Sequence, residues 1–449
     1  MYKVLSKAEL KLKVLKTAWP IIFSELVDSM YSIADTYFVS RLGTNAIAAV
    51  GAGSYLCWLM MSFPSLFMVG VLVMVAQYNG AGDLDSARRT IGETLLYGSI
   101  AICFIAIAAF TAAPHVVLLL VSSENLELLS EAIEYFRVRV IGLPLIAVAL
   151  IMDSAVRAVK ATKYSMIVVS SSALTNIVLD PLLIYGSFNL PPLGVRGAAL
   201  ATVLSETLMI PLEIIFIRKL KLSPILELHS LKAANVFKVG LPAFIERLLM
   251  SIGNNAYAAF IARCGAKALA AHQIGLRIES FIYMPGFAFS VVASSYVGER
   301  IGAGEFKEGK VVGLEIAKLA VVTMFFLGIA AATLSKILVK PFSVDQEVLE
   351  LASLYLVLAG LSEAGLALAM SFSGALRGAG NTIVPLLISA IGLYLFRVVP
   401  TSILTKFIGV VGAWISMFVD VYLRGVILYA IYVKYFDKLA VRWSEKRTH

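Results

Sequence analysis

A chain of 449 residues that is 59% hydrophobic and only 15% charged is too apolar for a soluble protein of that length. Its net charge of +9 is spread over alternate loops instead of being massed in one patch, which argues against a nucleic-acid partner. The three cysteines, Cys57, Cys103 and Cys264, lie in or at the ends of apolar stretches. That placement suits neither a disulfide framework nor a cysteine metal site.

The chain opens with Met1–Lys16, basic and amphipathic and without a small-residue cleavage site. It is expected to lie on the membrane surface and lead into the first helix, not to be removed. Twelve apolar stretches follow, at 16–40, 47–77, 90–121, 130–156, 163–187, 194–217, 235–262, 268–298, 311–340, 348–375, 381–407 and 410–434. Each is long enough for the about 20 residues that a bilayer crossing requires. The predicted fold is an all-α integral membrane protein of twelve transmembrane helices, with no room for a soluble domain between them. Lys and Arg crowd one set of loops, from Lys3 and Lys16 through Arg88, Arg157, Lys219 and Arg300 to Lys446 and Arg447. The alternate loops hold few, such as Arg41, Arg263, Lys340 and Lys406, and none at all in 122–127 or 187–193. The excess of positive charge places both termini in the cytoplasm, and the plasma membrane is the expected location.

The two halves repeat one another. Arg41-Leu42-Gly43 followed by Ala46, Ala48 and Ala49 recurs as Arg263-Cys264-Gly265 with Ala268, Ala270 and Ala271. Gly80-Ala81-Gly82-Asp83 recurs as Gly302-Ala303-Gly304-Glu305, and Pro20 as Pro242, at a shift of roughly 222 residues. Ala155-Val156-Arg157 recurs as Ala375-Leu376-Arg377, and Gly194-Val195 as Gly409-Val410. The predicted organisation is a six-helix lobe at 1–217, a cytoplasmic linker at 218–234, a second six-helix lobe at 235–434 and a basic cytoplasmic tail at 435–449. An even number of helices per repeat gives both bundles one orientation, a parallel repeat with pseudo-two-fold symmetry, as in many secondary transporters. One chain then holds both halves, so a monomer is the expected functional unit.

Asp35 is an ionisable group inside an apolar helix and is a candidate functional residue on that ground. A rise of about 1.5 Å per residue puts it roughly 9 Å below the outer boundary at Arg41. The same count puts Asp180 at about 10 Å, Asn176 at about 16 Å and Thr202 near 12 Å, on the fifth and sixth spans. Asn176 and Asp180 are i and i+4 and share a face. Two carboxylates at one depth call for a proton on one of them or a cation between them. The architectural alternatives are an ion pair of Asp35 with Arg41 or Arg196, a local cap by Asp180 before Pro181, and inter-helix hydrogen bonding by Asn176 and Thr202. The equivalent second-half positions are Tyr257, Phe396, Pro400 and Met417. An acid pair needed for architecture would be expected twice.

Glu25 and Asp28 share the Asp35 face of helix 1, and Tyr31 lies one turn before it. In the second half Glu246, Glu279 and Glu363 sit near mid-membrane, where they suit either cationic substrates or ion pairs with Arg247, Arg277 and Arg397. No Gly-Lys-Ser/Thr follows the glycine loops, so they lack the spacing of a phosphate-binding loop, which argues against an ATP-driven pump. The absence of an Asp-rich magnesium motif or a histidine cluster argues against an enzyme. Tyr429, Tyr432 and Tyr435 read as interfacial belt residues.

Six-plus-six helices, Pro20 with Ala34-Asp35-Thr36 and Arg41-Leu42-Gly43, the Gly-Ala-Gly-acid loops, Asn176–Pro181 and Gly194–Ala199 together resemble the multidrug and toxic compound extrusion (MATE) family. The resemblance covers essentially the whole chain and is strongest to the prokaryotic branch with its charge-handling residues in the first lobe. It implies an H⁺- or Na⁺-coupled antiporter that exports amphipathic, cationic drugs by alternating access, with no cofactor beyond the coupling ion. It assigns the proton or Na⁺ site to Asp35, Asn176, Asp180 and Thr202, and a lobe-lining position to Tyr135. Asp153 stands where asparagine is expected, which adds an acid to the cavity formed with Tyr31, Tyr135, Glu246, Glu279 and Glu363. Pro20 is the family's bending position and a hinge candidate, or simply a residue near a helix start. The rival reading is a lipid-linked precursor flippase of the same superfamily. The chain's twelve helices and acidic cavity weigh against it.

Overall fold

Hydropathy along the chain becomes a set of long helices in the computed structural model, which describes residues 7–121, 125–186, 191–227 and 232–443. Lys3, Lys446 and Arg447 lie outside these residues, as do parts of the loops at 122–127 and 187–193, of the linker and of the tail. In chain order the helices are α1 (Lys7–Ser40), α2 (Thr44–Gly80), α3 (Leu84–Val117), α4 (Leu126–Ala158), α5 (Thr162–Ile184) and α6 (Gly194–Lys219). The second half continues with α7 (Lys232–Ala262), α8 (Ala266–Gly302), α9 (Phe306–Thr333), α10 (Gln346–Gly378), α11 (Ile383–Ile408) and α12 (Val410–Leu439). Ten of these are long and apolar enough to cross a membrane. The other two, α1 and α7, are the first helix of each repeat, equally long and more polar. Large apolar side chains such as Phe104, Ile107, Leu119 and Phe407 are exposed, as befits surfaces solvated by lipid.

The repeat is visible in the backbone. Gly43 and Gly265 have φ of 116° and 112°, and Gly82 and Gly304 have 73° and 79°. These conformations strain any residue with a Cβ. Within each repeat one helix is central. In the first half α4 packs on α2, α3 and α6, and in the second half its counterpart α10 packs on α8, α9 and α12.

The chain divides into two compact units. Phe23–Val75 and Asp83–Gly240 form the first; Leu241 onward, Ala76–Gly82 and the stretch up to Ile22 form the second. Helix α1 therefore passes from one unit to the other just after Pro20. That proline is internal to α1, as Pro242 is to α7, so neither is a helix-start residue. Each removes a backbone donor and weakens the helix at that turn. The amphipathic beginning of α1 is also more than a surface segment, because Leu10, Val14, Ala18 and Ile21 are buried. Thr17 Oγ1 lies 3.1 Å from the Tyr296 hydroxyl of α8.

Two other segments are pinned by polar contacts. In the linker, Arg88 Nε donates to the Ser223 carbonyl at 2.9 Å, Ile225 N–H donates to the Arg88 carbonyl at 3.1 Å, and Arg89 pairs with Glu227 at 2.8 Å. At the end of α12, Gln77 Nε2 donates to the Gly378 and Val441 carbonyls at 3.1 Å each, and its Oε1 accepts the Trp443 N–H at 2.8 Å. Tyr432 is a core residue, not part of an interfacial belt: it is fully buried against Phe372 and Phe436, and its hydroxyl donates to the Gly309 carbonyl at 3.2 Å. Tyr429 and Tyr435 are exposed.

Candidate functional site

Asp180 is inside α5 and fully buried, one turn after Asn176, which is also buried. A carboxylate there caps nothing, since the helix continues to Ile184. With its amide nitrogen toward Asp180, Asn176 donates to Asp180 Oδ2 at 2.9 Å and its oxygen accepts the Thr202 N–H at 3.3 Å. Asn176 thereby joins α5 to α6. The Thr202 hydroxyl donates to the Ala198 carbonyl of its own helix at 3.0 Å, which leaves its lone pairs available as an acceptor.

Asp35 on α1 faces this group closely enough for its charge to act on Asp180. Neither Asp35 Oδ1 nor Asp180 Oδ1 accepts a hydrogen bond. The ion pairs considered from the sequence belong to other partners: Arg196 is bound by Glu134, and Arg41 donates to the Tyr37 hydroxyl at 3.1 Å. The guanidinium that Asp35 does feel is Arg139 of α4. Arg139 in turn holds Glu206 of α6, with Nη1–Oε2 at 2.7 Å and Nη2–Oε1 at 3.3 Å.

The other first-half residues line up along α1. Tyr31 lies within electrostatic range of Arg139, Glu206, Tyr135 and Asp35. Tyr135 is buried, with its hydroxyl 3.2 Å from Ser54 Oγ. Asp28 is near Glu25 and Glu206, and Glu25 is near Asp153 and Arg157. Asp153 is buried and paired with Arg157 at 2.6 Å. The sequence reading missed Arg139, Glu206 and Glu213, although each is a charge inside an apolar span and the rule that singled out Asp35 applies equally to them.

The second-half glutamates have different surroundings. Glu246 has both oxygens engaged, accepting from Arg377 Nη2 at 2.7 Å and from Ser389 Oγ at 2.7 Å. Glu279 accepts from the Tyr355 hydroxyl. Glu363 is fully buried, neither of its oxygens is hydrogen-bonded, and it lies within electrostatic range of Glu279. His272 sits edge-on between Tyr257 and Tyr355, at centroid distances of 5.7 and 5.1 Å. A π-helical turn, Gly392–Val398, carries Arg397 to Asp420 at 2.9 Å, and Arg424 shares that carboxylate at 2.7 Å. Such turns are frequent where a side chain must be re-aimed. The second half thus lacks the Asp35 constellation at the repeated positions but has buried acids elsewhere.

Among the described residues no three His, Cys, Asp or Glu side chains converge as metal ligands. A small cation beside Asp35 and Asp180 would have to draw on the Thr202 hydroxyl oxygen and, with the amide turned over, on the Asn176 oxygen, donors that suit a hard monovalent ion.

A family model described as MatE matches residues 20–182 and again 242–403, once in each repeat. The probable multidrug resistance protein NorM of Thermotoga maritima is 28% identical over 429 residues, covering 93% of this chain and 90% of its own. The FAD transporter of Shewanella oneidensis is 26% identical over 406 residues, 89% of each chain. In fold, the chain is similar to the Vibrio cholerae MATE transporter VcmN in the bent form, with a TM-score of 0.89 at 20% identity over 97% of this chain and 99% of that one.

Proposed function

The chain belongs to the multidrug and toxic compound extrusion family, the MatE family of transporters, and from that membership we propose that it is a secondary antiporter of the plasma membrane. It exports amphipathic, cationic compounds in exchange for inward H⁺ or Na⁺. The observation that carries this reading is the buried Asn176 and Asp180 with the half-buried Asp35 in electrostatic range of Asp180, one oxygen of each carboxylate being unbonded. A single positive charge satisfies such a pair where two bare carboxylates repel.

In the proposed cycle, substrate loads from the cytoplasm and the coupling ion then binds at Asp35 and Asp180, with Asn176 and Thr202 supplying the remaining oxygens. Ion binding shifts the balance between inward-open and outward-open states. Moving a two-state population from 1:99 to 99:1 needs about 5.5 kcal/mol of differential binding, a magnitude within reach of a buried carboxylate pair assisted by an ion gradient. Pro20 supports a hinge role, because it lies where α1 leaves one compact unit for the other. Tyr31 and Tyr135 are proposed to line the substrate path in the first unit, with Glu279 and Glu363 as acidic contacts in the second. Glu246, already held by Arg377 and Ser389, fits scaffolding better. The distribution of basic loops supports cytoplasmic termini.

The test is dye export from everted vesicles with imposed pH or Na⁺ gradients, comparing wild type with Asp35→Asn. The variant is expected to insert and fold normally but to lose gradient-driven export. Unchanged export would remove Asp35 from coupling. The wild-type response to each gradient identifies the ion.

A further inference from the structure

Helix α2 belongs to the first repeat, yet its last turn and the two residues after it, Ala76–Gly82, fall in the second unit. There α2 lies against the end of its repeat counterpart α8 with backbone on backbone. A Cβ on Gly80 would collide with the Glu299 carbonyl, and one on Gly302 with the Gln77 carbonyl. The two contacts exchange under the repeat, which takes Gly80 to Gly302 and Gln77 to Glu299.

The second half adds a strap to this crossing. After α12 the chain turns extended at Ala440 (φ −66°, ψ 128°) and crosses the ends of α8 and α10. Val441 N–H donates to the Ala379 carbonyl at 2.7 Å, Arg442 Nε to the Gly302 carbonyl at 2.9 Å and Trp443 Nε1 to the Gly380 carbonyl at 3.0 Å. Asn381 Nδ2 donates to the Leu439 carbonyl at 3.3 Å. Gly380, at φ 83°, lies under the strap, where a Cβ would collide with the Val441 carbonyl. Its counterpart in the first repeat is Lys160, which holds the same left-handed conformation at φ 64° with a full side chain. The segment after α6 packs on α3 instead, with Ile225 against Arg88 and Gly92.

Gln77 of α2 plugs into the strap. It is fully buried, and its amide donates to the Gly378 and Val441 carbonyls and accepts the Trp443 N–H. A buried amide is costly without such partners. The strap's bonds to Gly302, Ala379, Gly380 and Asn381 join second-half residues to one another, so they persist however the repeats are arranged. The three bonds of Gln77 do not, because they tie a first-repeat helix to the second half. Parallel-repeat transporters open a cavity on one side by rocking the repeats apart there, and contacts made in one state alone bias the equilibrium toward that state. We propose that Gln77 and the strap at 440–443 form a latch that holds the cytoplasmic end of α2 on the second half and releases when the cavity opens to the cytoplasm. The latch rests on the alternating-access part of the functional reading, not on the coupling ion, Asp35 or the substrate.

The experiment is double electron–electron resonance on the full chain in liposomes at neutral pH, without a gradient. Spin labels are placed at Asp85→Cys and Glu308→Cys, exposed positions in the first turns of α3 and α9, with the native cysteines replaced by alanine. Wild type is compared with Gln77→Met, which keeps the side-chain length and removes its donors and acceptor. Gly380→Ala unseats the strap without touching α2, and Lys160→Gly is the matching change in the other repeat. The ratio of long to short distances should rise on the order of tenfold in Gln77→Met, since three hydrogen bonds are lost from one state. It should rise in Gly380→Ala as well and keep its wild-type value in Lys160→Gly. A wild-type distribution in either of the first two variants, folded as judged by its melting, overturns the latch, and so does an equal rise in Lys160→Gly. If one of the two fails to fold, the other decides. Gradient-driven export is measured separately: shifted distances in a chain that exports nothing remove the antiporter reading and keep the latch. Unshifted distances beside normal export remove the latch alone.

Discussion

Arg139→Met is the substitution that most directly probes how the first unit tolerates its buried acids. Arg139 and Glu206 are 12% and 22% exposed at their side chains and are joined by two hydrogen bonds, at 2.7 and 3.3 Å. Removing one partner of a buried pair leaves an uncompensated charge, which costs about 3–5 kcal/mol. The residual exposure of Glu206 places the loss near the lower end, about 3 kcal/mol. That corresponds to roughly a hundredfold shift in the folding equilibrium. Replacing the whole pair, as Arg139→Met with Glu206→Leu, should recover most of the loss because the desolvation penalty of both ions disappears as well. Thermal melting of the detergent-solubilised protein across the full double-mutant cycle measures this. The single variants should melt well below wild type and the double variant close to it, a coupling that additive effects cannot produce. Single variants that melt like wild type, or additive losses, would refute the reasoning. The stable double variant then isolates the electrostatic role. Arg139 is the cation beside Asp35, so gradient-driven export should fall in this variant although its fold is restored.

Two further substitutions separate structure from substrate contact. Glu246→Gln removes the charge that pairs with Arg377 at 2.7 Å and should lower the melting temperature, a loss of about 1–3 kcal/mol, with the KM for dye export unchanged. A tenfold change in KM at unchanged stability would instead make Glu246 a substrate contact. At Gly328→Ala, the new Cβ would lie 2.1 Å from the Gly360 carbonyl oxygen, so α9 and α10 must part. A loss of about 1–3 kcal/mol is expected, read as a lower melting point; wild-type melting would show that the crossing is looser than the geometry implies.

Much of this protein is legible along one dimension. Composition and the length of the apolar runs determine a membrane protein of twelve helices, because bilayer thickness imposes a length that a sequence either meets or does not. The internal repeat emerges from matching motifs, and the turns at Gly82 and Gly304 confirm it in the backbone. The Asn176–Asp180 pairing is also local, since i and i+4 always share a face. What tertiary structure alone decides is which charge meets which across helices. Arg139 reaches Glu206 across 67 residues, and Arg377 reaches Glu246 across 131. Tyr432 turns inward while Tyr429 and Tyr435 stay exposed. Helices that are apolar nearly all round carry little information about which face turns toward a neighbour. Rotation and crossing are set by small-residue contacts such as Gly328 against Gly360, and those in turn choose the partner of every buried charge.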